Sequence, residues 1–161
     1  MEFGCQLLLG ECQSGVIVDW ELVCGVPRAD TKMLDGSLER LAGGEKDRTP
    51  QQVGGDRGFD SKANRDKLEA KGIYNGLCPR DPGELKKRMK EPDFVALQQR
   101  RSQTEARISI FKNSFLGAPL TSKGYTNQNL EVAWSVLTHN LWVIARRPQA
   151  KGKVTALAKA S

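Results

Sequence analysis

Three features of this sequence predict an α/β fold. Two runs rich in strand formers, 2–11 and 16–23, flank the turn Gln13-Ser14-Gly15 as the arms of an antiparallel hairpin would. Two shorter strand candidates, 51–55 and 72–78, enclose a helical stretch at 62–70. Two long helical periodicities, over 94–115 and 127–147, then fill the carboxyl-terminal half.

Taken in order, the hairpin places Asp19 and Glu21 on one side of its second arm with Ile17 and Val23, and Val18, Trp20 and Leu22 on the other. The acids predict a solvated outer face. Met1 abuts the first arm. After Gly25-Val26-Pro27, Asp30 is placed to cap a helix to about Leu41, with Met33, Leu34, Leu38 and Leu41 facing a core and Gly43-Gly44 ending it. Residues 45–50 read as a charged loop. The glycine-weakened strand at 51–55 delivers Asp56 at its carboxyl end, where ligand sites of open α/β sheets gather. Taken alone, Asp56 reads as an Asx turn or a helix cap.

The stretch from Phe94 to Phe115 predicts one long helix. At about 100° per residue, Leu97, Thr104, Ile108, Phe111 and Phe115 form an apolar stripe, and Gln98, Arg101, Glu105 and Lys112 form a polar stripe at its border. Taken alone, Glu105 reads as half of a helix-surface ion pair. Arg100 and Arg107 are expected on the far side, open to solvent or phosphate. Ahead of this helix the basic run Lys86-Lys87-Arg88 forms a linker or short helix. Ten Lys+Arg stand against five Asp+Glu between Arg80 and Lys123, so five of the six net positive charges fall there. Phosphate contacts, if DNA is bound, belong to that quarter. The last helix is expected to turn Leu130, Ala133, Trp134, Leu137, Leu141 and Ile144 inward, and residues 148–161 to form a basic tail.

Composition narrows the chemistry. With 161 residues, one domain is expected; 39% hydrophobic and 27% charged residues describe a globular protein, here expected to be cytoplasmic. No apolar run is long enough for a bilayer and no secretory leader opens the sequence, so no membrane partner is expected. Cys5, Cys12, Cys24 and Cys78 lack paired spacing, which predicts reduced thiols and no zinc site. His139, the single histidine, sits in a helical apolar run and reads as structural. Any chemistry falls mainly to carboxylates.

Several landmarks agree in order and spacing with one family. The run from Gly55 through Asp56-Arg57-Gly58-Phe59-Asp60-Ser61-Lys62-Ala63 to Asn64, then Gly72-Ile73, then Arg101, Glu105, Arg107-Ile108-Ser109 and Lys112, and last Asn140-Leu141 with Ala145-Arg146, resemble the carboxyl-terminal part of bacterial insertion-sequence transposases of the DDE class. Glu2-Phe3-Gly4 and the Pro27 to Asp30 spacing also fit. The resemblance spans residues 2–147.

It implies a ribonuclease H-like mixed sheet flanked by helices, with residues 1–147 as a partial catalytic domain. Asp56 would be the second catalytic acid and Glu105 the third, together holding metal in a site for two Mg²⁺ ions. Arg101 and Lys112 match the arginine and lysine of the family's tyrosine-arginine-glutamate-lysine signature, with Gln98 where tyrosine would stand. They would position DNA phosphate, alongside Arg100, Arg107, Lys86, Lys87 and Arg88. The implied activity is metal-dependent cleavage and strand transfer at insertion-sequence ends, by a homo-oligomer, on nucleoid DNA. The family's first catalytic aspartate precedes the Glu-Phe-Gly stretch, so the sequence is expected to be truncated and inactive alone. The alternative is a non-catalytic DNA-binding or oligomerising remnant.

Overall fold

A computed structural model describes residues 4–43, 49–117 and 120–146. The expectations for Glu2-Phe3, for residues 45–48 of the charged loop at 45–50, for Arg147 at the end of the last helix and for the tail at 148–161 lie outside these. The fold is mixed α/β. Strands β1 (Gln6–Glu11) and β2 (Ile17–Val23) are followed by helix α1 (Asp30–Ala42), strand β3 (Gln52–Gly55), helix α2 (Lys62–Ala70) and strand β4 (Tyr74–Leu77). Then come helices α3 (Pro82–Arg88) and α4 (Pro92–Ile110), a π-helical segment (Phe111–Leu116) and helix α5 (Tyr125–Ala145). Among the described residues no helix is long and apolar enough to cross a membrane.

The strands form two separate two-stranded sheets where one mixed sheet was expected. β1 and β2 are antiparallel, Gln6 opposite Val23 and Leu9 opposite Trp20, with a bulge at Gly10/Glu11. Gly15, at φ 84°, takes the left-handed conformation that the tight turn requires and donates its N–H to Cys12 O at 3.0 Å. β3 and β4 run parallel with α2 as the crossover. Neither sheet pairs with the other among the described residues, so each of the four strands hydrogen-bonds on one side only.

Each sheet has its own apolar cluster. Ile17, Leu22, Phe111, Val132 and Val136 gather beneath the hairpin, while Leu34, Leu38, Leu68, Ile73 and Leu77 gather beneath the parallel pair. Full burial of each such side chain stabilises by about 1.5–3 kcal/mol. α4 ties the two halves together. Its Leu97 lies on Gly54 and Gly76, while its Arg100 and Arg107 reach Glu11 at the end of β1. A side chain at Gly76 would strike Leu97 and lie 2.8 Å from Val53 O, so only glycine lets the helix settle this close.

Three expectations are corrected here. The acids of β2 do not face water: Asp19 is only 7% exposed, and Arg40 of α1 holds it in a fork, Nε to Oδ1 at 2.7 Å and Nη2 to Oδ2 at 2.8 Å. The same guanidinium meets Glu21 at 2.9 Å, and both carboxylates hold it firmly protonated. Cys5 and Cys24 are a disulfide and not free thiols, since the hairpin register sets them directly beyond the Gln6–Val23 pair, with Cα atoms 4.2 Å apart. The N-cap of α1 is Ala29, and Asp30 sits in the first turn with no capping bond.

The fourth correction concerns α5. Val132, Ser135, Val136 and His139 face inward, while Leu130, Trp134, Leu137, Leu141 and Ile144 lie exposed. The polar residues explain the choice. Asn140 bonds Ile17 through both amide ends, accepting from its N–H and donating to its carbonyl at 2.8 Å each. Ser135 Oγ donates to Phe115 O at 3.1 Å, and His139 meets Phe111 and Phe115 edge-on. His139 is structural, as expected from the sequence.

Candidate functional site

Asp56 follows β3 directly. Its Oδ1 accepts the Gly58 N–H at 2.8 Å, an Asx turn that orients the carboxylate. The turn is held from both sides. Arg80, just past β4, donates to the carbonyls of Arg57 (3.0 Å) and Gly58 (3.3 Å), and Asn64 of α2 donates to those of Phe59 (2.8 Å) and Thr31 (3.2 Å). Ser61, not Asp56, caps α2.

Beneath the turn, Asp60 is 3% exposed and receives Arg65 at both oxygens, with Nε 2.7 Å from Oδ1 and Nη2 2.6 Å from Oδ2; Arg80 N–H adds a third bond. Those bonds, Arg65 foremost, outweigh desolvation and hold the Asp60 carboxyl below the usual carboxylate range. A lowered folded pKa means that the stabilisation is complete above the unfolded value near about 4 and disappears as pH falls through the lower folded value. Asp60→Asn should therefore lower stability by about 2–4 kcal/mol near neutrality. Thermal melts from pH 6 downward should show the gap between wild type and variant closing below about pH 4.

α4 carries the other half of the site. Proline at its start, leucine and alanine early, and no internal glycine favour the helix; Phe94 and Leu97 bury its inner face. Gln98 Nε2 donates to Gly76 O at 2.9 Å, which anchors the helix to β4 one turn ahead of Arg101. Arg101 Nε and Glu105 Oε1 are 3.4 Å apart, and the Glu105 side chain is 63% exposed. Arg101 Nε itself is buried with no hydrogen-bond partner among the described residues. Asp56, Arg57, Gln98, Arg101 and Glu105 all line one cleft of about 520 Å³, with Leu85 of α3 and its C-cap Met89 as the apolar wall.

Not every residue expected at the site is there. Arg100 and Arg107 flank Thr104 on the helix, so the turn angle itself sets them beside the inward stripe; they pair with Glu11, and Arg100 also donates to Cys12 O at 2.7 Å. Their expected exposure on the far side is corrected. Arg88 is likewise committed, stacked 4.3 Å from the Phe94 ring centroid and bonded to Asn75 O. Lys112 is exposed and lies off the cleft, in the π-helical segment, where the wider turn breaks the 3.6-residue period behind its predicted stripe. Lys86 and Lys87 are exposed on α3, beside the cleft wall.

Two residues enter that the sequence did not place at the site: Arg80, and Asp30, which reads from the sequence only as a helix cap and a spacing landmark. Arg80 fastens the Asp56 turn from a distance in sequence that no local pattern reveals. Asp30 approaches Asp56 around Gly58: a Cβ there would clash with Asp30 Oδ2 and stand 3.0 Å from Asp56 Oδ1. Gln6 Nε2 donates to Asp30 Oδ1 at 3.1 Å.

Asp56 and Glu105 offer carboxylate oxygens to one cleft, a donor type that suits a hard divalent cation. Among the described residues, however, no group of three or more His, Cys, Asp or Glu is arranged to hold a metal ion. The donor set thus fits as a partial one. Fold and cleft together define a mixed α/β protein with an acidic and basic pocket at a strand end. No protein-family model, curated protein or solved structure matches the chain.

Proposed function

We propose that this chain is the carboxyl-terminal part of a DDE-class transposase catalytic domain acting on insertion-sequence DNA. The observation that carries the reading is the shared cleft: Asp56 and Glu105, distant in sequence, line it together with Arg101. The ribonuclease H-like part of the reading draws support from α4, which spans two sheets whose β1 and β3 each hydrogen-bond on one side only. A strand from outside these residues, bearing the first acid, would join them.

Asp56 and Glu105 would hold Mg²⁺, which when bound activates an attacking oxygen and neutralises charge on the leaving one. Arg101, next to Glu105, would orient a DNA phosphate, and Arg57 would add charge at the cleft mouth. Lys86 and Lys87 replace the committed Arg88, Arg100 and Arg107 as the phosphate contacts beyond the cleft. Charge reversal at both, K86E/K87E, is expected to weaken binding to duplex DNA roughly tenfold at low salt and to flatten the logarithmic salt dependence by about two. Fluorescence anisotropy over a salt series reads both.

A non-catalytic DNA-binding remnant is the second reading, favoured by the ion pair that occupies Glu105. Mg²⁺-dependent cleavage of DNA carrying the element's ends separates the two, with the chain assayed alone and joined to the segment encoded just upstream. Cleavage restored by that segment supports the transposase. DNA binding without cleavage in either form supports the remnant.

A further inference from the structure

We infer that the outer face of α5 is a self-association surface that pairs with the same face of a second copy. Leu130, Trp134, Leu137, Leu141 and Ile144 follow one another at intervals of four and three residues, the spacing of a coiled-coil seam. All five are exposed, at 55%, 61%, 47%, 59% and 53%, although the inner face of the same helix is fully engaged with β2 and the π-helical segment. Helices that carry two apolar faces bury both.

Size, charge and sequence argue for a second copy as occupant. Pairing two such faces removes on the order of 1,200 Å² from water, within the range of specific protein interfaces. Per copy this is an apolar patch of about 600 Å², at the upper end of what monomers expose and of the size that marks an interaction site. Glu131 is the sole charged residue between Tyr125 and Ala145, so like charges do not oppose an isologous pair and nothing on the helix attracts phosphate. The segment 147–161 is a poor alternative occupant, since Val154 and Leu157 are its only large apolar side chains. Trp142, 38% exposed, borders the seam under Arg146, whose guanidinium carbon lies 4.5 Å from the ring centroid.

The inference stands apart from the phosphodiester chemistry: dimerisation without cleavage, or cleavage by a monomer, would separate them. Sedimentation equilibrium of the purified chain, without DNA, should give an average mass rising with concentration toward twice 17.8 kDa. W134E/L141E should remain monomeric at the same concentrations with an unchanged far-ultraviolet circular dichroism spectrum. Wild-type tryptophan emission should shift to the red on dilution, because Trp134 and Trp142 lose their cover, and this readout needs no variant. A wild type that stays monomeric up to about 100 μM overturns the inference, as does a folded W134E/L141E that dimerises as tightly, or a dimer whose dissociation leaves the emission unmoved.

Discussion

Glu105→Ala is expected to leave duplex DNA affinity within about twofold while reducing Mg²⁺-dependent strand cleavage at least a hundredfold in the form joined to the upstream segment. The two outcomes separate because Glu105 has two possible jobs. As a helix-surface partner of Arg101 it is worth a few tenths of a kcal/mol, so its loss would leave melting temperature, binding and cleavage nearly unchanged. As a metal-holding acid it contributes little to binding and nearly everything to the chemical step. Glu105→Gln sharpens the comparison, since it keeps the side-chain length and removes only the charge. Cleavage retained by both variants would take Glu105 out of the mechanism and leave the ion pair as its whole role.

Arg40→Leu is expected to be among the most damaging single changes outside the cleft. Asp19 has a side chain 6% exposed and depends on Arg40 for both of its oxygens; Glu21 shares the same guanidinium. Removing one partner of a buried pair strands the other charge, which costs about 3–5 kcal/mol when burial is complete. The Arg40 side chain is 37% exposed, so water recovers part of that and about 2–3 kcal/mol is the better expectation. For a domain of this size the melting midpoint should fall by about 5–10 °C. Asp19→Asn combined with Arg40→Leu should lose less than Arg40→Leu alone, because the stranded charge is gone. A double variant no more stable than the single one would show that the pair is not what holds α1 on β2.

Hairpin, helices and the short parallel strands were all legible because period and turn chemistry are local. The Gln13-Ser14-Gly15 turn, the Asp56 position at the end of β3 and the apolar stripe of α4 needed no knowledge of neighbours. The juxtaposition of Asp56, Arg101 and Glu105 was also expected, through resemblance to a known family. α5 shows where local reading stops. Its Leu and Trp stripe is the more hydrophobic of two faces, yet Asn140, Ser135 and His139 decide which one turns inward, because each finds a backbone or aromatic partner there.

The same limit applied to charge. Sequence fixed the sign and number of the groups, and so the basic bias of the segment around α3 and α4. Only tertiary structure decided which charges are spent, with Arg100 and Arg107 on Glu11, Arg40 on Asp19, Arg65 on Asp60 and Arg88 on Phe94, leaving Lys86 and Lys87 exposed. A side chain's partner lies across the fold, and the energy of burying a charge depends on whether that partner arrives.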